Sequence, residues 1–329
     1  MKQAVFISLL LAFISCGVMG SGDDRPDIPG KIVFSAKDGE GTSQIYTMNA
    51  DGSDLEQLTH FGPEGGATDP AWSPDGKLIV FENYTGATTL GPYLYVMDSD
   101  GTNMRPLKKR QRESISALIG SAPAWSPDGT NIAYQVCTNC ELGGRDYEIV
   151  VVEVAGKDYD PDQIHAITDH PASDMKPTWS PDGQRIAFVS DRDYVDADTL
   201  RFRKDLYVVD TDGSNQRRMT ETGFARDPVW NPDSNTIGFR SSSSSLGLFL
   251  VSVQSGVIFK VEEDFSTSIQ LFPVAWCPDG QKLLITARDQ SEPRDYSLYI
   301  IDTEKNETIL IPFGPTNIGD ADWIVRTTK

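Results

Sequence analysis

The chain has 329 residues, of which 39% are hydrophobic and 23% are charged, a composition that excludes an intrinsically disordered protein. Its formal net charge of −19 argues against sequence-independent binding to nucleic acid, because contacts to phosphates require a surplus of Lys and Arg. The same acidity favours cationic or neutral partners.

Residues 1–15 form a predicted export signal. A short basic segment precedes the apolar run Ala4–Ile14, which is too short to span a bilayer. The following sequence resembles a bacterial lipoprotein box, which predicts that Cys16 is lipidated and that residues 16–30 form a flexible tether. Cleavage after Gly20, without lipidation, is the alternative.

Tryptophan recurs at intervals of 46 to 54 residues along the rest of the chain, at Trp72, Trp125, Trp179, Trp230, Trp276 and Trp323. Five of the six tryptophans precede a turn with the pattern Ser-Pro-Asp-Gly or a close variant of it, at 73–76, 126–129, 180–183, 231–234 and 277–280. In such a turn, proline presets φ and glycine accepts the positive φ that closes the bend. A period of this length, with short strands and tight turns, predicts the blades of a β-propeller.

Each repeat contains four predicted strands, which we name a to d. Strand a ends at the tryptophan, and strand b follows the turn, as in Ile186–Phe188. Strand b is apolar at consecutive positions, which predicts that both of its faces are buried. Strand c is equally apolar, as in Leu206–Val209, and strand d ends in a threonine such as Thr220.

The two ends of the repeat region complement each other. The region begins with a strand b at Lys31–Phe34 and ends with a strand a at Asp320–Val325. We therefore predict an all-β, six-bladed propeller over residues 31–325, closed by the C-terminal strand completing the first blade. Closure of this kind removes exposed sheet edges, and residues 326–329 form a tail.

The repeat resembles that of the TolB-type propellers, most plainly at Ala124–Gly129 and Leu206–Ser214, and the resemblance covers residues 31–325. It implies a six-bladed propeller of the cell envelope that binds proteins through one face. TolB also carries an N-terminal α/β domain that we expect this chain to lack, which argues against a role in the Tol–Pal system. Related propellers form the non-catalytic part of prolyl-oligopeptidase-like enzymes and the body of oligogalacturonate lyases.

The connections between strands b and c and between strands d and a share one face of a propeller, and here they vary in length, which is typical of a binding face. Strand a lines the central channel. Asp69, Asp227 and Asp320 each stand three residues before a tryptophan, and we expect them at the channel mouth on the variable face. They could capture a cationic group or a metal. The alternative is that each aspartate orders a d–a turn by accepting backbone N–H bonds.

The cysteines predict a disulfide and no zinc site. Cys137 and Cys140 form a C-x-x-C pair without a second pair or a histidine pair, so we predict that they are disulfide-bonded to each other. Cys277 replaces a turn serine and is predicted to be a small buried side chain. A cluster of acidic residues could hold calcium or be a solvated loop, and we favour the loop and predict neither a metal nor a cofactor; the cluster comprises Asp191, Asp193, Asp196 and Asp198.

Signs of catalysis are few. The sequence contains no Gly-x-Ser-x-Gly elbow, no Walker loop and no dinucleotide fingerprint. The three histidines, His60, His165 and His170, fall near predicted strands d of two repeats and are expected at the surface. We assign no catalytic residue and favour a protein that is not an enzyme, although the sequence does not decide this.

These observations predict an exported, lipid-anchored monomer in the periplasm, on the outer membrane or at the cell surface. It would bind a protein or peptide of the cell envelope through the variable face and contact the membrane only through its anchor. One alternative is an envelope enzyme that acts on polysaccharide or peptide with residues on the same face. Another is a structural module of a larger envelope complex.

Overall fold

A computed structural model of the chain contains six four-stranded antiparallel sheets, each of which is one blade of a propeller. The structure describes residues 30–85, 92–107, 120–138, 146–154, 164–194, 203–241, 247–261, 269–277, 280–289, 296–303, 305, 307–311 and 318–324. The predicted export signal, Cys16, most of the tether and the C-terminal tail lie outside these residues. Within them, no helix has the length and hydropathy needed to cross a bilayer.

The strands follow one another along the chain blade by blade. Blade 1 contains β1 (Lys31–Lys37), β2 (Ser43–Asn49), β3 (Glu56–Gln57) and β24 (Ile318–Ile324). Blade 2 contains β4 (Gly65–Trp72), β5 (Leu78–Thr85), β6 (Tyr93–Asp98) and β7 (Arg105–Pro106). Blade 3 contains β8 (Gly120–Trp125), β9 (Asn131–Cys137), β10 (Tyr147–Glu153) and β11 (Ile164–Ala166).

Blades 4 to 6 repeat this order. Blade 4 contains β12 (Asp174–Trp179), β13 (Arg185–Ser190), β14 (Asp205–Asp210) and β15 (Arg217–Arg218), with a 3-10 helix at Arg192–Tyr194. Blade 5 contains β16 (Ala225–Trp230), β17 (Thr236–Ser241), β18 (Gly247–Ser252) and β19 (Ile258–Lys260). Blade 6 contains β20 (Ile269–Trp276), β21 (Lys282–Asp289), β22 (Tyr296–Asp302) and β23 (Glu307–Leu310).

The ring closes as the sequence predicts. The C-terminal strand β24 pairs antiparallel with β1 and is the inner strand of blade 1. Asp322 of β24 also accepts a hydrogen bond from the backbone N–H of Trp72 in blade 2, at 2.8 Å. The two ends of the propeller are therefore joined by a ladder of backbone bonds and by a side chain that reaches the next blade.

Apolar side chains of strand b pack alternately against the two neighbouring blades, which confirms that both faces are buried. In β1, Ile32 and Phe34 pack with Leu284 of blade 6, whereas Val33 packs with Ile79 of blade 2. The described residues form six such clusters, one at each junction between neighbouring blades. The hydrophobic core is therefore a ring of six interfaces. Burial of each side chain of this size contributes about 1.5–3 kcal/mol to stability.

Aromatic pairs reinforce four of the blades. A phenylalanine of strand b stands directly opposite an aromatic residue of strand c, with ring centroids 5.6 to 6.0 Å apart, in the pairs Phe34–Tyr46, Phe81–Tyr95, Phe188–Tyr207 and Phe239–Phe249. Each such pair contributes about 0.5–1.5 kcal/mol beyond the area that it buries.

Candidate functional site

The inner strands of all six blades enclose a central cavity of about 510 Å³. Asp69, Lys176 and Asp227 line it where the inner strands leave the variable face, and Trp72, Trp125 and Trp179 line it near the ends of those strands. Between these two levels the wall is largely proline and small apolar residues. The charged groups of the cavity therefore lie mainly toward its mouth.

The inner strands of blades 2 to 5 contain a bulge with a positive φ at the same position of the repeat. The residue before the proline of strand a has a φ between 51° and 54° in these blades, at Asp69, Ala122, Lys176 and Asp227. The pairing register between strands a and b shifts at the same place. The strands begin two to four residues before these positions, at Gly65, Gly120, Asp174 and Ala225. The sequence predicted Asp69 and Asp227 at the start of strand a, whereas the structure places them inside a bulged strand that begins earlier.

Side chains of the preceding blade bind the backbone at two of these bulges. The N–H of Ala122 donates to Glu82 at 2.7 Å, and the N–H of Lys176 donates to Gln135 at 2.8 Å. Glu82 and Gln135 occupy equivalent positions at the end of strand b. These hydrogen bonds satisfy buried donors and fix the direction in which the bulge residues point into the channel.

Asp69 pairs with Lys176 across the channel mouth. The Lys176 Nζ atom lies 2.9 and 3.2 Å from the two carboxylate oxygens of Asp69. The Asp69 side chain is only 17% exposed. Burial raises the pKa of Asp69 to about 6, an effect that the Lys176 ammonium opposes and the neighbouring Glu82 carboxylate reinforces. The Glu82 carboxylate also accepts a hydrogen bond from the Tyr84 hydroxyl at 2.7 Å.

Asp227 has a different cationic partner. Its Oδ2 atom lies 3.0 Å from Nε of Arg240, and the guanidinium of Arg240 stacks over Phe272 at 4.5 Å from the ring centroid. Arg226 stands opposite Arg240 in the β16–β17 pair, and burial lowers the pKa of Arg226, an effect to which the positive charge of Arg240 adds. Blade 5 therefore contributes two guanidinium groups and one carboxylate near the mouth.

The structure brings Asp69 and Asp227 to the channel mouth but does not leave them as free carboxylates. Each pairs with a cation of the chain, and the alternative, that each aspartate orders a d–a turn, stays a prediction. Asp320 lies in β24, and its side chain is outside the described part of the structure. Sequence reasoning missed Glu82, Lys176 and Arg240. The available signal was Lys176, which occupies the position of Asp69 and Asp227 in its own repeat.

The acidic segment of blade 4 also carries internal ion pairs. Asp191 pairs with Lys204 at 3.0 Å, and Asp193 pairs with Arg218 at 3.2 Å, whereas Asp196 and Asp198 lie outside the described residues. The two described aspartates therefore pair with cations of the same blade, and the solvated loop stays a prediction for the remaining residues of the cluster. Among the residues that the structure describes, no group of three or more His, Cys, Asp or Glu side chains could hold a metal ion.

The described cysteines, Cys137 and Cys277, and the histidines are not among the residues that line the channel. Cys137 is disulfide-bonded, and its predicted partner Cys140 lies outside the described residues, so the pairing stays a prediction. Cys277 is a buried side chain, as expected, and it is not part of a disulfide. The histidines belong to two blades: the side chain of His60 contacts Gln57 in blade 1 at 3.1 Å, and His165 and His170 belong to blade 3.

Comparison with known proteins identifies relatives of two kinds. The chain is 32% identical over 163 residues to a TolB homolog of Chlorobium chlorochromatii, an alignment that covers 49% of this chain and 31% of the relative. It is 25% identical over 303 residues to dipeptidyl-peptidase 5 of Porphyromonas gingivalis, covering 78% and 42% of the two chains. The chain therefore spans less than half the length of these relatives.

Solved structures confirm the fold. TolB from Acinetobacter baumannii superposes with a TM-score of 0.69 at 20% identity, covering 89% of this chain and 66% of that chain. No protein-family model matches the chain. The repeat, the six closed blades and the similarity to TolB homologues agree, and the chain is a TolB-type β-propeller repeat protein.

Proposed function

We propose that the protein binds a protein or peptide of the cell envelope through the face that carries the b–c and d–a connections and the channel mouth. It is exported and lipid-anchored at Cys16, in the periplasm, on the outer membrane or at the cell surface. It acts as a monomer and contacts the membrane only through its anchor. The lipoprotein box and the resemblance to TolB support this location.

The difference between the two faces of the propeller carries the proposal. The five a–b turns have five residues each, at 73–77, 126–130, 180–184, 231–235 and 277–281. The b–c connections range from five to fourteen residues, at 38–42, 86–92, 138–146, 191–204, 242–246 and 290–295. Binding residues concentrate on variable connections that a rigid scaffold positions, so the second face is the better candidate for an interface.

The channel mouth adds groups that could recognise a partner. Asp69, Glu82 and Lys176 from one side and Arg226 and Arg240 from another bring both signs of charge to the rim of the cavity. Partly buried charges of this kind give orientation and specificity to a bound peptide. We infer that a protruding segment of the partner enters the mouth while the connections contact its surroundings.

The similarity to dipeptidyl-peptidase 5 supports a second candidate, an enzyme that acts on peptides. In that case residues on the variable face would act on the bound peptide. Hydrolysis of a panel of dipeptide substrates by the purified chain would support this candidate, and binding without turnover would argue for the first.

An affinity capture from envelope extract tests the proposal. The mature protein should retain a partner that a variant with scrambled 86–91, 242–246 and 290–295 segments loses, while both proteins melt at the same temperature. A control variant with Lys77, Thr102 and Gln184 changed to Ala alters the opposite face and should retain the partner. Equal capture by the scrambled variant would refute this binding face, and constitutive migration in a high-mass complex would indicate a structural module.

A further inference from the structure

The ion pair between Lys176 and Asp69 joins two blades that are not neighbours. Lys176 belongs to β12 of blade 4 and Asp69 to β4 of blade 2, so the lysine side chain reaches past Ala122 of blade 3. Both residues line the cavity. The pair therefore crosses part of the channel mouth, and a ligand that enters the cavity on this side must displace the lysine.

The site that the Lys176 ammonium occupies, beside the carboxylates of Asp69 and Glu82, already fits an alkylammonium group. Both oxygens of Asp69 lie within 3.2 Å of Nζ, and the Glu82 carboxylate stands next to them. Hydrogen bonds from the Ala122 N–H and the Tyr84 hydroxyl hold Glu82 in place without Lys176. The two carboxylates would thus remain oriented if the lysine moved away, and they carry one more negative charge than the single ammonium neutralises.

The surroundings of this ammonium site suit the aliphatic part of a lysine side chain. Pro70, Ala71 and Pro123 line the cavity next to it and offer apolar surface to a chain of methylene groups. The net charge of −19 attracts cationic ligands to the protein. The Lys176 side chain is 35% exposed, so water can solvate its ammonium group after displacement.

We propose that Lys176 is a strap that closes part of the channel mouth, and that the mouth binds the ammonium group of a lysine on a partner peptide, which takes the place of Lys176 on Asp69 and Glu82. This inference rests on the proposed function and specifies the chemistry of the partner. Lys176 is then an internal competitor of the ligand, and its removal should strengthen binding.

Titration with a short capped peptide that contains one lysine, and with its norleucine counterpart, tests the strap. Calorimetry gives the Kd, and the fluorescence of the tryptophans that line the cavity reports binding there. Lys176→Met should bind the lysine peptide about tenfold more tightly than wild type, since one competing ion pair is gone. Lys176→Arg keeps a cation on Asp69 and should resemble wild type.

Two further variants complete the experiment. Asp69→Asn should lose the lysine peptide, and Lys77→Met, which breaks an ion pair on the opposite face, should behave as wild type. Equal affinity in wild type and Lys176→Met, retained binding by Asp69→Asn, or equal binding of the norleucine peptide would overturn the strap. If one of these results were found but the scrambled variant still lost an envelope partner that wild type captures, the strap would be wrong and the proposed function would stand. Failure of the strap and failure of the proposed function are therefore distinguishable.

Discussion

The carboxyl group of Asp69 combines a structural cost with the binding role that we propose for it. Burial raises its pKa to about 6, and the ammonium of Lys176 only partly opposes this because the Glu82 carboxylate acts in the other direction. A carboxyl group in this environment is a poor contributor to stability at neutral pH. Its presence at the mouth of a cavity is better explained by recognition of a cation than by folding.

Asp69→Asn should change the stability of the protein in a pH-dependent way. The pKa of Asp69 in the folded protein, about 6, lies above its value of about 3.8 in an unfolded chain, so its stabilising contribution is present below pH 3.8 and is lost as pH rises through 6. The variant does not titrate. Relative to wild type it should therefore gain stability between pH 4 and pH 7.5, by up to ~3 kcal/mol in urea unfolding.

Asp128→Asn provides the control for this measurement, with the opposite sign. A hydrogen bond from Ser126, together with the Thr130 N–H, lowers the pKa of Asp128, so its contribution is present at neutral pH and is lost as pH falls. The Asp128 variant should lose stability relative to wild type as pH rises. If the Asp69 variant followed the same course, the buried environment assigned to Asp69 would be wrong.

At the scale of the element, the a–b turn shows how one backbone accepts different side chains. In blades 2, 3 and 4 the turn serine accepts a hydrogen bond from the N–H five residues later, at 2.9 Å. In blade 6 the Sγ atom of Cys277 accepts the equivalent bond from Lys282, at 3.2 Å. The thiol therefore has the geometric role of the serine hydroxyl while its sulfur packs in the cluster between blades 6 and 1.

This role predicts different effects of two substitutions at the same position. Cys277→Ser keeps the acceptor and should remain within about 1 kcal/mol of wild type, whereas Cys277→Ala leaves the Lys282 N–H without it and should cost about 1–3 kcal/mol. Urea unfolding of the three proteins measures both differences. A serine variant that is less stable than the alanine variant would contradict the acceptor role.

Local patterns predicted the elements well and the site poorly. The tryptophan period and the turns predicted six blades because the strands and turns of a blade are formed by residues close to one another in the sequence. Asp69 was predicted at the start of strand a, with a role in a d–a turn as the alternative, and no local pattern predicted the bulge in which it lies. Asp69 and Lys176 are 107 positions apart in the chain and belong to blades that are not neighbours, so no local sequence pattern encodes their ion pair.

The whole molecule depends on closure of the ring. β24 supplies the inner strand of blade 1, pairs with β1 and carries Asp322, which binds the Trp72 N–H of blade 2. Without β24 the inner edge of β1 would be exposed and two neighbouring interfaces would lose packing. The six hydrophobic clusters form one cycle, so damage at this junction should weaken the complete domain.

Deletion of residues 320–329 tests closure. We expect the truncated protein to lose its cooperative thermal transition or to melt at least ~10 °C below the full chain, as measured by circular dichroism, since several kcal/mol of pairing and packing disappear. Deletion of residues 326–329 alone removes the predicted tail and should leave melting unchanged. Unchanged melting after the longer deletion would contradict the closure of the ring by β24.

The most direct test of the binding face is site-specific photo-crosslinking from two positions of blade 2. Tyr84 is 43% exposed and contacts Glu82 at the channel mouth, and Met104 is 37% exposed beside the c–d turn of the opposite face. A benzophenone amino acid at either site, irradiated in intact cells, should yield a crosslinked envelope protein from position 84 and not from position 104. The same partner captured from position 104 alone would contradict the proposal that the channel-mouth face binds it.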